Sequence, residues 1–146
     1  MFLLDTTALS ELTKRRPNDG FLHWMSAQSA QDGYIGAPSI GELEIGIALL
    51  KPSKKRRSLE SWIQHLVEEF DERILPFDLA AARIWGRAVA AARHRGKTLP
   101  ATDAQIAAIA SFRGLPVVTR NVRHFKVAGF EELMVIDPWS STQGIS

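Results

Sequence analysis

The chain has 146 residues, 45% of them hydrophobic and none of them cysteine. It is long enough for one full core, and it has neither disulfides nor thiolate metal sites. Its 18 Lys and Arg barely exceed its 16 Asp and Glu, which excludes attraction by bulk charge as the basis of binding and shifts attention to where the charges sit. No basic segment precedes an apolar stretch at the start, and no apolar run is long enough to span a bilayer, so a cytoplasmic protein without membrane contact is expected.

Short apolar runs alternate with longer stretches of helical period, the pattern of strand-helix units around a parallel sheet. Phe2 to Leu4 is the first predicted strand and runs into a helix over Thr7 to Lys14. A helix over Gly20 to Gln28 and a strand over Tyr34 to Ala37 follow, then helices over Ser39 to Leu50 and Lys54 to Phe70. Arg73 to Leu75 reads as the third strand, and Asp78 to Arg95 and Thr102 to Arg113 as helices. In the last of these Ile106, Ala107, Ile109 and Ala110 form an apolar stripe, and Gly114 supplies the stop. Pro116 to Val118 and Leu133 to Ile136 complete a sheet of five strands. One domain over residues 1–139 is expected, with a polar tail from 140 that frays.

Basic residues collect at helix edges, in Lys14 to Arg16, Lys51 to Arg57 and Arg93 to Lys97. Each run taken singly reads as a solvated helix end; gathered on one side of the fold they would form a phosphate-binding face. The four tryptophans read as core and rim packing, since no basic-aromatic interleaving surrounds them, and the four histidines have no zinc-motif spacing.

Acids stand at three strand-helix joints: Asp5 in FLLDTT, Glu42 in APSIGE and Asp103 in PATDAQIA. Capping accounts for each one singly. Asp5 can cap the helix after its strand, and Ser39 to Glu42 and Thr102 to Gln105 have the pattern of capping boxes; Asp78, in PFD, carries the same local signature. Capping does not account for their convergence. In an open parallel sheet ligands bind outside the carboxyl ends of the strands, where Asp5, the turn before Glu42, and Thr119-Arg120-Asn121 all fall. Asp103 joins them only if its helix begins at that same edge.

Carboxylates brought together repel one another unless a cation sits among them. Oxygen donors without His or Cys favour Mg2+, with Mn2+ as the alternative, and a water held there beside basic patches suits attack on a phosphodiester.

In these motifs the chain resembles the PIN-domain ribonucleases, and within them the VapC-type toxins of bacterial toxin-antitoxin pairs. The likeness is carried by LLDTTALSEL, APSIGELEIGIALL, ILPFD, TLPATDAQIAAIA, VVTRNVRHF and a closing DPW, in the family's order and over nearly the whole chain. The resemblance implies a PIN-like α/β three-layer sandwich, with a five-stranded parallel sheet wrapped by about seven helices. It also implies a Mg2+- or Mn2+-dependent endoribonuclease. Asp5, Asp103 and Glu42 would be its catalytic and metal-binding acids, Asp5 and Asp103 the first ligands, with Glu42 binding or orienting the metal's water or serving as general base. Thr6, Thr119 and Asn121 are supporting candidates. Partners implied are RNA, a cognate antitoxin that binds DNA in the complex, and a second copy of the chain; Ile45 to Leu50 and Trp62 to Phe70 are candidate walls of an antitoxin groove.

Two positions depart from the family pattern. Thr7 stands where Asn is frequent, which puts a local hydrogen bond in question. The turn after the fourth strand has Asn121 where an acid is common, and His124 further on is no acid either, which predicts one well-held metal at most in the free protein. A binding module that holds RNA or an antitoxin and acts in promoter autoregulation is the second reading. An aspartyl-phosphate phosphatase is a third, disfavoured by Thr7 in place of a second Asp and by the absence of a phosphate-binding glycine loop.

Overall fold

In a computed structural model, which describes residues 1–127 and 129–140, five parallel strands form one sheet: β1 (Phe2–Leu4), β2 (Gly33–Gly36), β3 (Ile74–Leu75), β4 (Val117–Val118) and β5 (Val135–Ile136). Their order is β3-β2-β1-β4-β5. From the central β1 the chain builds outward through β2 to β3, and later on the other side through β4 to β5. The order therefore reverses between β1 and β4, where Leu4 lies opposite Val118. The loops leaving these two strands diverge, which opens a crevice at their carboxyl ends.

Seven helices flank the sheet among the described residues: α1 (Thr6–Glu11), α2 (Asp19–Ser26), α3 (Ala37–Ala48), α4 (Lys54–Phe70), α5 (Leu79–His94), α6 (Ala101–Arg113) and α7 (Val122–Phe125). The alternation of β1 divides the core. Leu3 joins Ile106, Ile109, Val117 and Phe125 on one face, while Phe2 and Leu4 join Leu9, Phe21, Ile35 and Leu66 on the other. Side chains of this size are worth about 1.5–3 kcal/mol each when fully buried. The tryptophans pack as expected: Trp24 meets Phe2 edge-on at 4.9 Å between ring centroids, Trp139 meets Phe21 at 4.8 Å and Trp85 meets Phe77 at 5.9 Å.

The expected strands and helices are all present, with ends shifted. Two of the expected caps are not formed. α3 begins at Ala37 with Gly36 at its N-cap and Pro38 in the first turn, because proline's fixed φ and missing N–H suit that turn and start the helix before Ser39 is reached. Ser39 is instead buried and accepts a hydrogen bond from Thr6. In the same way α6 starts from Pro100, so Thr102 is no cap. Asp78 does cap α5, accepting from the Ala81 N–H at 3.0 Å, and Gly114 ends α6 in the left-handed region with φ 67°.

α1 stops as an α-helix at Glu11 and continues through tighter turns, Thr13 bonding to Ser10 and Lys14 to Glu11. α7 was not among the helices read from the pattern; at four residues it is too short to show a period. The expected fraying tail, beyond residue 140, lies outside the described residues.

Candidate active site

Asp5 is the first residue beyond β1. Its own N–H bonds to the Val118 carbonyl at 3.1 Å, which continues the β1–β4 ladder by one step, and its extended backbone at φ −81° and ψ 179° makes it the N-cap of α1. Oδ1 accepts from the Ala8 N–H at 2.9 Å and from the Thr7 hydroxyl at 2.6 Å, and Oδ2 accepts from the Thr119 hydroxyl across the crevice. The capping role of Asp5 is thus real, and it coexists with a position at the point where the strand order reverses.

The side chain of Asp5 is fully buried. Burial pushes its carboxyl up to about 6; the hydrogen bonds from Thr119, Thr7 and Ala8 counter only part of this, and the charge of Asp103 adds to the rise. Asp103 sits in the first turn of α6, so this helix does begin at the carboxyl edge. Its carboxyl is also raised, first by burial and further by Glu42, while the hydrogen bond and charge of His124 oppose the rise. His124 Nδ1 lies 2.7 Å from Asp103 Oδ2, and with the proton on Nδ1 the ring donates. Glu42, in α3, is exposed.

Asp5, Asp103 and Glu42 thus lie along one edge, with Asp103 near enough to Asp5 and Glu42 near enough to Asp103 for their charges to be felt. Glu42 and Asp103 line a cleft of about 480 Å³ together with Ser10, Lys14, Arg120 and Asn121, and Asp5 lies just behind Thr6 and Thr7 on its wall. A hollow of about 560 Å³ between Gly114–Pro116 and residues 129–134 lies at the opposite, amino edge of the sheet, away from these acids. Glu44 faces Arg56 and Glu60 in a separate groove.

The supporting residues divide. Thr119 bonds Asp5 directly and accepts the Asn121 N–H at 2.9 Å. Asn121 lines the cleft. Thr6 donates to Ser39 Oγ at 3.1 Å, which ties α1 to α3 without reaching an acid. Thr7, where the family often has Asn, makes local hydrogen bonds of its own: its hydroxyl donates to Asp5 and accepts the Arg120 N–H at 3.0 Å.

Two features escaped the sequence. His124, though no acid, is the partner of Asp103; its five-residue distance from Thr119, along a short helix, is the available signal. Glu11 is 2% exposed and accepts from Trp139 Nε1 at 2.8 Å, the Asn18 N–H at 2.9 Å and Lys14 Nζ at 3.0 Å. These contacts hold its carboxyl below the ordinary range despite burial.

Among the described residues no three His, Asp or Glu side chains form a ready-made metal cage. The donor set nevertheless fits a hard, hydrated cation. Mg2+ requires only one or two carboxylates and keeps several waters. The Asp5 carboxylate has about four acceptor positions, of which three are taken, and Asp103 Oδ1 has no hydrogen-bond partner among the described residues. Two carboxyls with raised proton affinity form a place where positive charge is favoured.

A sheet of this order with an acid at its switch point defines a class of fold, and residues 2–130 match the family model of the PIN domain. The chain belongs to the PIN-domain family, among the VapC-type toxins of toxin-antitoxin pairs. It is similar to a VapC ribonuclease, Y4jK, of Sinorhizobium fredii, 34% identical over 95% of this chain and 98% of the relative. It is also similar to the toxin FitB of Neisseria gonorrhoeae, 36% identical over 95% of this chain and 99% of the relative. A solved structure of FitAB bound to an IR36 DNA fragment superposes with a TM-score of 0.85 at 33% identity, covering 95% of this chain and 96% of that one. No helix among the described residues is long and apolar enough to cross a membrane.

Proposed function

We propose that the protein is a Mg2+-dependent endoribonuclease toxin, with Mn2+ as a substitute ion, that hydrolyses RNA phosphodiester bonds and is held inactive by a cognate antitoxin. The observation that carries this is the chain of acids at the β1/β4 switch point, Asp5 raised by burial and by the charge of Asp103, and Asp103 raised by burial and by the charge of Glu42. Likeness to a VapC ribonuclease over nearly its full length supports the choice of substrate.

Asp5 and Asp103 would hold the ion. A bound Mg2+ supplies charge stabilisation at the phosphoryl oxygens and activates water. Thr119 and Thr7 fix the Asp5 carboxylate, and His124 fixes that of Asp103, so neither has to be ordered when substrate arrives. Glu42, exposed at the cleft, takes the proton from the attacking water at a carboxylate oxygen. Asn121 offers a neutral oxygen where a fourth carboxylate would add charge, which limits the free protein to one well-held ion.

The antitoxin would lie along α3, where Ile45 is 63% and Leu49 81% exposed, beside a groove walled by Leu43, Ile47, Leu59 and Trp62. An amphipathic helix suits such a groove. The FitAB structure bound to an IR36 DNA fragment supports a DNA-binding complex of toxin and antitoxin. Exposed Leu79 and Phe112, on α5 and α6, offer apolar surface for a second copy.

The test is cleavage of a structured RNA by wild type and Asp5→Asn, with Mg2+ and then with EDTA. Cleavage by wild type alone is expected, with a loss of roughly 10³-fold in the variant and none remaining in EDTA. Equal degradation by both proteins would leave the reading as a binding module.

A further inference from the structure

RNA brought to three carboxylates is repelled unless cations receive its backbone, and the cleft holds two on its rim, Lys14 and Arg120. We propose that the substrate strand runs along the cleft face of α1, from the acids at its start to Lys14 beyond its end, and that Lys14 binds a backbone phosphate flanking the one that is cut. This deepens the ribonuclease reading and rests on it.

Lys14 is held ready for such a contact. Its ammonium uses one donor on Glu11 Oε1 at 3.0 Å, while its side chain remains 47% exposed against 3% for that of Glu11. An ammonium has three donors, so two remain for oxygens of a phosphate. Glu11 offsets part of the Lys14 charge, but its carboxylate is buried and already accepts from the Trp139 indole and the Asn18 N–H, so the ammonium is the exposed member of the pair. Both residues line the cleft, and an incoming phosphate meets the half-exposed ammonium before the buried carboxylate. The long lysine stem has already been ordered in the free protein, so a phosphate binding there has less side-chain entropy to remove.

The tight turns after α1 extend the same strip of surface. Thr13 bonds back to Ser10 and Lys14 to Glu11, and Thr6, Thr7, Ser10 and Lys14 all line the cleft. From Asp5 to Lys14 the rise of a helix gives roughly 14 Å. That separation is too great for Lys14 to touch the phosphate undergoing attack, and it fits a neighbouring one. Lys14 is therefore a binding residue whose loss acts on affinity before turnover.

The experiment measures anisotropy of a labelled single-stranded RNA oligonucleotide across a salt series, in the full chain carrying Asp5→Asn so that no cleavage occurs. Adding Lys14→Gln, which keeps a donor for Glu11, should weaken binding roughly fivefold at low salt and reduce the slope of log affinity against log salt by about 0.7, the share of one phosphate contact on a single strand. Lys14→Arg should restore both. Lys51→Gln, an equal loss of charge outside the cleft, should leave the slope alone.

An unchanged slope in Lys14→Gln, an equal fall in Lys51→Gln, or no measurable binding of the probe would overturn the proposal. Cleavage assays on the Asp5 parent separate the two readings. If the parent does not cut RNA but Lys14→Gln lowers the slope, the ribonuclease reading fails and the phosphate contact stands. If the parent cuts and Lys14→Gln leaves slope and KM unchanged, the reverse holds.

Discussion

The two ends of α1 carry two buried carboxyls whose affinities for protons move in opposite directions. At the start of the helix, burial and the charge of Asp103 push Asp5 up to about 6 despite its three hydrogen bonds. At its end, Trp139, Asn18 and Lys14 hold Glu11 below the ordinary range. Glu11 is completed by the fold: an indole, a backbone N–H and an ammonium offset the cost of its burial. Asp5 has only neutral donors and acidic neighbours, so the fold bears an uncompensated charge that a bound cation would relieve. A buried acid that the protein satisfies is a strut, whereas one left unsatisfied beside other acids points to a ligand.

The sharpest way to break this contrast is to remove each carboxylate and measure stability in denaturant. Glu11→Ala orphans an indole N–H, a backbone N–H and an ammonium, and a loss of roughly 4 kcal/mol is expected. Asp5→Asn should do the opposite. Because the folded carboxyl binds its proton more tightly than the unfolded one, its contribution is fully present below about pH 3.8 and is lost as pH rises through about 6. The cation-free variant should therefore exceed wild type by up to about 3 kcal/mol at pH 7.5, and the gain should disappear near pH 4. Wild-type Glu11 acts with the reverse sign. Its stabilisation is present above the ordinary value of 4.5 and is lost as pH falls through its lower folded value. Equal signs for the two variants at pH 7.5 would dissolve the contrast.

A smaller effect sharpens it. His124→Ala removes the ring that orients Asp103, and a loss of about tenfold in Mg2+ affinity is expected, as for other partners that orient ligating groups. Calorimetric titration of Mg2+ reads this directly.

Much of the fold was legible because its signals are local. Apolar runs ending at Asp5 and before Thr119 mark strand ends, and the parallel alternation implies a sheet whose carboxyl edges collect those ends. The convergence of Glu42 and Asp103 followed from the same rule, although Asp103 required α6 to begin at that edge, which it does from Pro100. The false capping boxes at Ser39 and Thr102 had the right composition, but a proline upstream of each starts the helix earlier. His124 and Glu11 were hidden for another reason. Their roles depend on contacts across 21 and 128 positions of sequence, and no local pattern in HF or SEL distinguishes a buried hub from a solvated polar residue.

The most direct test of the central claim is calorimetric titration of Mg2+ into the free protein and into Asp5→Asn at pH 7.5. One site is expected in wild type, weakened when the titration is repeated below pH 6 as Asp5 takes up its proton, and none in the variant. Two tight sites in wild type, or binding undiminished in Asp5→Asn, would contradict it.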